Sequence, residues 1–163
     1  MAQRDIFLRI EGSRQGLLRG ESHDQSHPGE IDVMSWSWGM DSPGDAFGLP
    51  TGRTNVELLR VTKRVDSAST ALMSALRANE LIRKAVLTVR KAGGEPLAYF
   101  TLTIENARLV QQRIRGGEGE DSALLTEELA LSFQKVRVEY LPQLRTGGAV
   151  GIHTFETVLN GPP

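Results

Sequence analysis

Apolar residues recur with a period of two along most of this chain, and such alternation predicts strands. It is clearest from Glu30 to Met40, a run that carries both tryptophans. Read as one strand, the run puts Met34, Trp36, Trp38 and Met40 on one face and Ile31, Val33, Ser35, Ser37 and Gly39 on the other. The tryptophan face is expected to be core. Burying one tryptophan removes roughly 200 Å² from water, about 5 kcal/mol at ~25 cal/mol per Å² as an extended-chain upper bound. The other face passes from Ile and Val to small hydroxyls and glycine, which suggests a smooth, mildly polar surface with no helix packed on it.

Similar alternation predicts strands at Asp5–Glu11, with Ile6, Leu8 and Ile10 opposite Phe7 and Arg9, and at Val56–Val65, with Val56, Leu58, Val61 and Val65 inward. From Lys84 a further strand leads to a Gly93-Gly94 turn, followed by strands at Leu97–Ile104 and Ala107–Ile114. Leu124–Leu141 reads as one long, bent strand with a register change near Gln134. A last strand is expected at Val150–Leu159, after Gly147-Gly148. The period changes once. Ala68, Ala71, Leu72, Ala75 and Leu76 follow three- and four-residue spacing, which predicts a helix over about 67–79, capped by Asp66 or Ser67. Its narrow, alanine-rich stripe should lie close against a sheet. Between Asp41 and Asn55, five Pro and Gly residues punctuate a long extended loop whose apolar anchors are Phe47 and Leu49. A loop of this length in a compact domain is usually functional, and exposed apolar anchors suggest that it docks. The fold class is therefore mainly β: an antiparallel β-barrel or sandwich flanked by one α-helix, with a long loop over 41–55.

Length and charge narrow the function. A chain of 163 residues falls within the size of one domain, here 1–163. Nineteen basic residues against twenty acidic ones give a formal charge of −1, which argues against coating nucleic acid or an anionic membrane. The balance is uneven: residues 1–50 hold four Arg against eight acids, and the remainder holds fifteen basic residues against twelve acids. This asymmetry reads as differently charged faces. The chain has no cysteine, so no disulfide framework or thiolate metal site is available. The opening decapeptide lacks an apolar stretch fit for a signal-peptide core, and the chain is expected to be made and folded in the cytoplasm.

A search for converging titratable groups finds no nucleophile elbow and no His-Glu-x-x-His motif. The pairs His153/Glu156, Glu127/Glu128 and Asp24/His27 are of a kind that arises by chance. His23 and His27 are four apart but are followed by Pro28 and Gly29, so they read as solvated loop histidines and not as metal ligands. The glycine-rich run 115–121 carries three acids and no Lys-Ser/Thr ending, which excludes a phosphate loop. No catalytic residue, cofactor or metal is expected.

Four blocks carry a family resemblance. The first is Gly20-Glu21-Ser22, His27, Glu30-Ile31-Asp32-Val33 and Trp36-Ser37-Trp38-Gly39-Met40. The second runs from Lys63 through Asp66 to Leu72-Met73, and the third is Arg90-Lys91-Ala92-Gly93-Gly94-Glu95 with Tyr99. The fourth begins at Gly116-Gly117-Glu118-Gly119-Glu120-Asp121 and continues through Leu125-Thr126-Glu127, Leu131, Phe133, Val136, Val138 and Tyr140 to Pro142-Gln143. Together they resemble the haemolysin-coregulated protein (Hcp) family, the tube subunits of bacterial type VI secretion systems, over residues 5 to about 143. The connection Glu11–Arg19 looks longer than the family's usual one, and the tail offers His153-Thr154-Phe155 where a tryptophan is common.

The resemblance implies a small barrel assembled as a six-membered ring, with rings stacked into a hollow, non-enzymatic tube. That tube is expelled with a spike and carries effectors in its lumen, so the protein would be cytoplasmic and then secreted without a cleaved signal peptide. Its partners would be further copies of itself, the sheath, spike and baseplate proteins, and effectors, with no nucleic acid and no membrane. Ser35 and Ser37 would face the lumen, and Phe47, Leu49 and Pro50 would contact the neighbouring subunit or ring. Two other readings fit the alternation: a monomeric small-ligand-binding barrel with Trp36 and Trp38 lining a pocket, and a tail-tube protein of a contractile phage.

Overall fold

The computed structural model describes residues 5–91, 97–142 and 151–159. The expected Gly93-Gly94 turn and Gly147-Gly148 loop lie outside these residues. Eleven strands and one helix follow in order: β1 (Ile6–Gly12), β2 (Gly16–Leu17), β3 (Ile31–Ser37), β4 (Met40–Asp41), β5 (Asn55–Val56), β6 (Leu59–Arg64), α1 (Ser69–Arg77), β7 (Ile82–Arg90), β8 (Ala98–Gly116), β9 (Leu125–Ser132), β10 (Lys135–Tyr140) and β11 (His153–Val158). Six of the strands pair antiparallel in the order β8-β7-β1-β3-β6-β9, and β9 pairs back to β8. That last pairing closes a barrel. Leu8, Ile10, Ile31, Leu59, Leu87, Leu102, Ile104 and Leu129 fill its interior and are withdrawn from water. Strands β10 and β11 continue from β8 as a two-stranded wing, while β2 folds back on β1.

The long bent strand is β8, at 19 residues. It pairs with β7 as far as Ala107 and with β9 from Arg108 onward. Asn106, at φ 50°, sits at this corner in the left-handed region that Asn tolerates better than most residues. The run Leu124–Leu141, expected as one bent strand, is two: it breaks after Ser132, where the Gln134 amide donates to the Glu105 carbonyl. The register change near Gln134 therefore separates a barrel strand from the wing.

The tryptophan strand also departs from simple alternation. A bulge between Val33 and Ser35 inserts one residue and exchanges the faces. Before it, Ile31 and Val33 point inward and are fully buried. After it, Trp36 turns inward, and Trp38 beyond the strand is likewise partly buried against the core. Met34 is only half-buried and Met40 is 49% exposed, so neither completes the expected core face. In β6 the inward residues are Leu59, Val61 and Lys63, while Leu58 and Val65 are only half-buried.

Helix α1 buries Ser69, Leu72 and Ala75 and packs along β8. It is shorter than expected, and Asp66 acts just ahead of it: its Oδ1 accepts the Ala68 amide at 2.9 Å and its carbonyl accepts the Ser69 amide. The long Glu11–Arg19 connection is bolted to the far end of this helix by Glu80. That buried carboxylate accepts the amides of Arg14 and Gln15 and the Gln15 side chain. Burial raises its pKa, but these hydrogen bonds outweigh it and hold the carboxyl below its ordinary value.

Candidate functional site

Strands β3, β6, β9 and the second half of β8 turn one continuous face outward. Register fixes its rows: Ser37 lies beside Arg60, which lies beside Ala130 and then Gln111; Ser35 lies beside Thr62, then Glu128, then Arg113. The next row holds Arg64, Thr126 and Arg115. A half-open groove of about 330 Å³ runs across it between Ser35, Ser37, Arg60, Thr62, Gln111 and Glu128. Ser35 and Ser37 are exposed, and no element of the described chain packs over them. The arginines were not singled out from the sequence. The signal was present, since Arg60, Thr62 and Arg64 alternate with inward Leu59, Val61 and Lys63.

Behind this face lies a buried polar cluster. Lys63 and Glu127 project into the barrel end that α1 covers, and neither is reached by water. Lys63 Nζ lies 2.5 Å from Glu127 Oε1 and 2.8 Å from Asp66 Oδ1, and it also donates to Ser69 Oγ at 3.2 Å. Ser69 Oγ donates to Glu127 Oε1, and the Gln112 amide donates to Glu127 Oε2 and to the Ser69 carbonyl. The Glu127/Glu128 pair is thus divided between interior and surface, and Glu127 has a structural role.

The arm Asp41–Asn55 is an ordered hairpin, with β4 pairing β5 at its base and a bridge between Gly44 and Pro50 further out. Asp45 organises the tip: its Oδ1 accepts the Phe47 and Leu49 amides, both at 2.9 Å, and its carbonyl accepts that of Gly48. Phe47 is 90% exposed, Leu49 is 62% exposed and Pro50 is exposed.

On the opposite side of the barrel, the 20–30 connection folds over β1 and β7. Arg90 grips Asp24 through two nitrogens at 2.6 and 3.0 Å, contacts Asp5 at 3.0 Å and lies over the Phe7 ring. The hydrogen bonds from Arg90 lower the Asp24 pKa to about 2 despite burial, and the same carboxylates raise that of Arg90. His27 is not a free loop residue: its ring stacks on Phe7 at 4.4 Å and its Nδ1 lies 2.9 Å from Glu30. His23 is exposed, and Glu156 pairs with Lys135 at the wing. Among the described residues no three His, Asp or Glu side chains group as metal ligands, and no helix is long and apolar enough to cross a membrane.

The profile of the family described as "Type VI secretion system effector, Hcp" matches residues 7–140. This chain belongs to the Hcp family. "Protein hcp1" of Pseudomonas aeruginosa is 38% identical over 151 residues, covering 90% of this chain and 89% of that relative. "Major exported protein" of the same organism is 27% identical over 116 residues, 64% of this chain and 67% of that protein. Among solved structures, Hcp1 from Salmonella typhimurium superposes with a TM-score of 0.71 at 29% identity, over 93% of this chain and 94% of that one. A type VI secretion effector from Yersinia pestis shares the fold, with a TM-score of 0.74 at 24% identity, over 95% and 100% of the two chains. The four blocks read from the sequence therefore identified the family correctly. Hcp is a family of secreted type VI proteins and not an enzyme family. The packed barrel interior, with Trp36 stacked on Phe100 at 5.3 Å, also disfavours a ligand pocket lined by the tryptophans.

Proposed function

We propose that this Hcp protein acts over its whole length, 1–163, as a single tube-building unit. Six copies form a ring, rings stack into a hollow tube, and the tube leaves the cytoplasm with its spike, driven by the sheath from the baseplate, carrying effectors in its lumen. No reaction is catalysed. The observation that carries this reading is the arm. Its backbone is ordered by Asp45, yet its tip presents Phe47, Leu49 and Pro50 to solvent with no core of its own beneath them. An ordered apolar protrusion gains stability only when a partner covers it, and in a tube that partner is the next subunit or ring. The uncovered face around Ser35 and Ser37 supports the second half of the reading, because a pore must be paved by strand faces that keep water.

Light scattering on a size-exclusion column, with electron microscopy of the same peak, tests the ring: six-fold mass and annular particles are expected. Deleting residues 47–51 should then impair stacking or closure while leaving the barrel folded. Orientation is tested by spin labels on Ser37→Cys and, separately, on Lys84→Cys on the outward side of β7, two strands from β3 around the barrel. In a six-fold ring the distance between neighbouring labels equals their distance from the axis, so Ser37 labels should be closer together than Lys84 labels. The reverse order would place the serine face outside.

A further inference from the structure

We infer that the face carrying Arg60, Arg64, Arg113 and Arg115 is an electrostatic docking surface for acidic polypeptides, which sets the kind of cargo this tube accepts; its place in the lumen rests on the function proposed above. The four arginines belong to two strands that flank β9. Arg60 and Arg64 are two inward residues apart on β6, and Arg113 and Arg115 stand across β9 in the adjoining rows. At ~3.3 Å per residue and ~4.8 Å per strand, their backbone positions fall within a patch roughly 13 Å by 10 Å. That spacing is comparable to the Debye length of ~8 Å at physiological salt, so the fields of neighbouring guanidinium groups add.

Little on the face opposes this charge. Glu128 stands between the strands and lies 3.9 Å from Arg115. Arg60 donates to the Gln111 side-chain oxygen at 3.4 Å, and Arg60, Arg64 and Arg113 form no ion pair among the described residues. All four arginines are exposed. Glu118 and Glu120 belong to the turn beyond the end of β8, not to the strand face. In a chain with a formal charge of −1, the three rows thus hold four cations against one anion, with exposed Asp32 on β3 and Glu57 beside Gly39 at their borders. Such a charge excess on one face is what the uneven distribution along the sequence suggested.

The chemistry selects carboxylates on a polypeptide over a nucleic acid. Guanidinium groups bind carboxylates through two parallel hydrogen bonds, and Thr62 between Arg60 and Arg64, with Ser35 and Ser37 alongside on β3, offers short hydroxyls to a main chain. Single-stranded nucleic acid needs aromatic platforms for its bases. Trp36, the one aromatic among the described residues that borders the groove, is partly buried against the core with its ring stacked on Phe100.

The test uses the assembled full-length protein and a fluorescent poly-L-glutamate probe, followed by anisotropy at several salt concentrations. Binding that weakens steeply with salt is expected, with a loss of about tenfold or more in Arg60→Gln/Arg113→Gln. Partial recovery of the affinity is expected in Arg60→Lys/Arg113→Lys, which keeps the charge but not the paired hydrogen bonds, and ring mass by light scattering checks assembly of each variant. Poly-L-glutamate that does not bind, or that binds the glutamine variant as tightly as the parent, overturns the proposal. Tighter binding of oligothymidylate with the same sensitivity to the variant overturns the choice of polypeptide. The label distances at Ser37 and Lys84 report the lumen separately. A reversed order there refutes the lumenal placement while leaving the probe to decide whether the face binds acids.

Discussion

Lys63 and Glu127 are charges that the fold removes wholly from water, and their neighbours explain how that is tolerated. Each spare donor or acceptor finds Asp66, Ser69 or Gln112, so the pair is satisfied as a network. Removing one member leaves the other charge buried alone. Lys63→Ala is expected to lose about 3–5 kcal/mol in urea denaturation, whereas the well-packed double change Lys63→Met/Glu127→Leu should lose much less. Equal losses in both would mean that packing, and not the charge, sets the cost. The alternation of Leu59, Val61 and Lys63 hints that Lys63 faces inward, but nothing in the sequence announces a partner in β9. Asp24 makes a second case at this scale. Its folded pKa, about 2, lies below the value of roughly 3.9 expected when unfolded. Its contribution to stability is therefore complete above about pH 4 and lost as pH falls toward 2. Asp24→Asn should lower stability at neutral pH and flatten the acid loss between those limits; denaturation curves of unchanged slope would refute the assignment.

At the scale of elements, periodicity locates strands better than it assigns their faces. Both halves of β3 are apolar enough to be core, so Ile31 and Val33 before the bulge and Trp36 after it look alike to an alternation count. One inserted residue decides between them, and its signal lies in pairing with β6, not in β3 itself. The same reasoning accounts for β8, where Asn106 marks the corner, and for Gln134, where the sequence shows a register change but not that the strand ends. Helix α1 was legible because its three- and four-residue period has no competitor nearby. The connection from Arg19 to Glu30 was not, because it is held by contacts distant in sequence, such as Arg90 with Asp24, and by close backbone approach at Gly20. A Cβ on Gly20 would stand 2.6 Å from the Glu30 carbonyl oxygen and 2.8 Å from Ile31 Cα. Both are backbone atoms in a buried ladder and cannot turn aside as a side chain could. Gly20→Ala is accordingly expected to destabilise by about 1–3 kcal/mol, with faster amide exchange at Ser22 and Gly29, whose hydrogen bonds depend on this approach. Unchanged exchange at those amides would show that the strand accommodates the methyl.

For the whole molecule the decisive fact is that barrel closure and the wing are independent. The ring of strands shuts through β9 on β8, so β11 contributes nothing to closure and, among the described residues, pairs only with β10. This strand order links segments far apart in sequence and could not be read from periodicity. On the wing's barrel-facing side Val138 packs on the core, but Tyr140 and Phe155 are each 44% exposed, and the His153 ring lies beside Tyr140. Ile152 and Val158 add further exposed apolar surface, and the outer edge of β11 has no strand beside it among the described residues. Native proteins usually blunt such an edge or cover it. Here the charges lie on the other side of the wing, where Lys135 bridges Glu105 and Glu156 and Arg137 pairs with Glu139. A neighbouring copy is the cover that the proposed ring provides, and Phe155 is where its contact would be most sensitive. Phe155→Lys should leave far-UV circular dichroism and barrel melting close to those of the parent, because Phe155 lies outside the closed strands. The same change should shift the mass seen by light scattering from six copies toward one, since a lysine would enter an apolar contact without a partner. A variant that retains the full ring mass would place the subunit contact elsewhere, leaving the arm at Phe47 to hold the assembly.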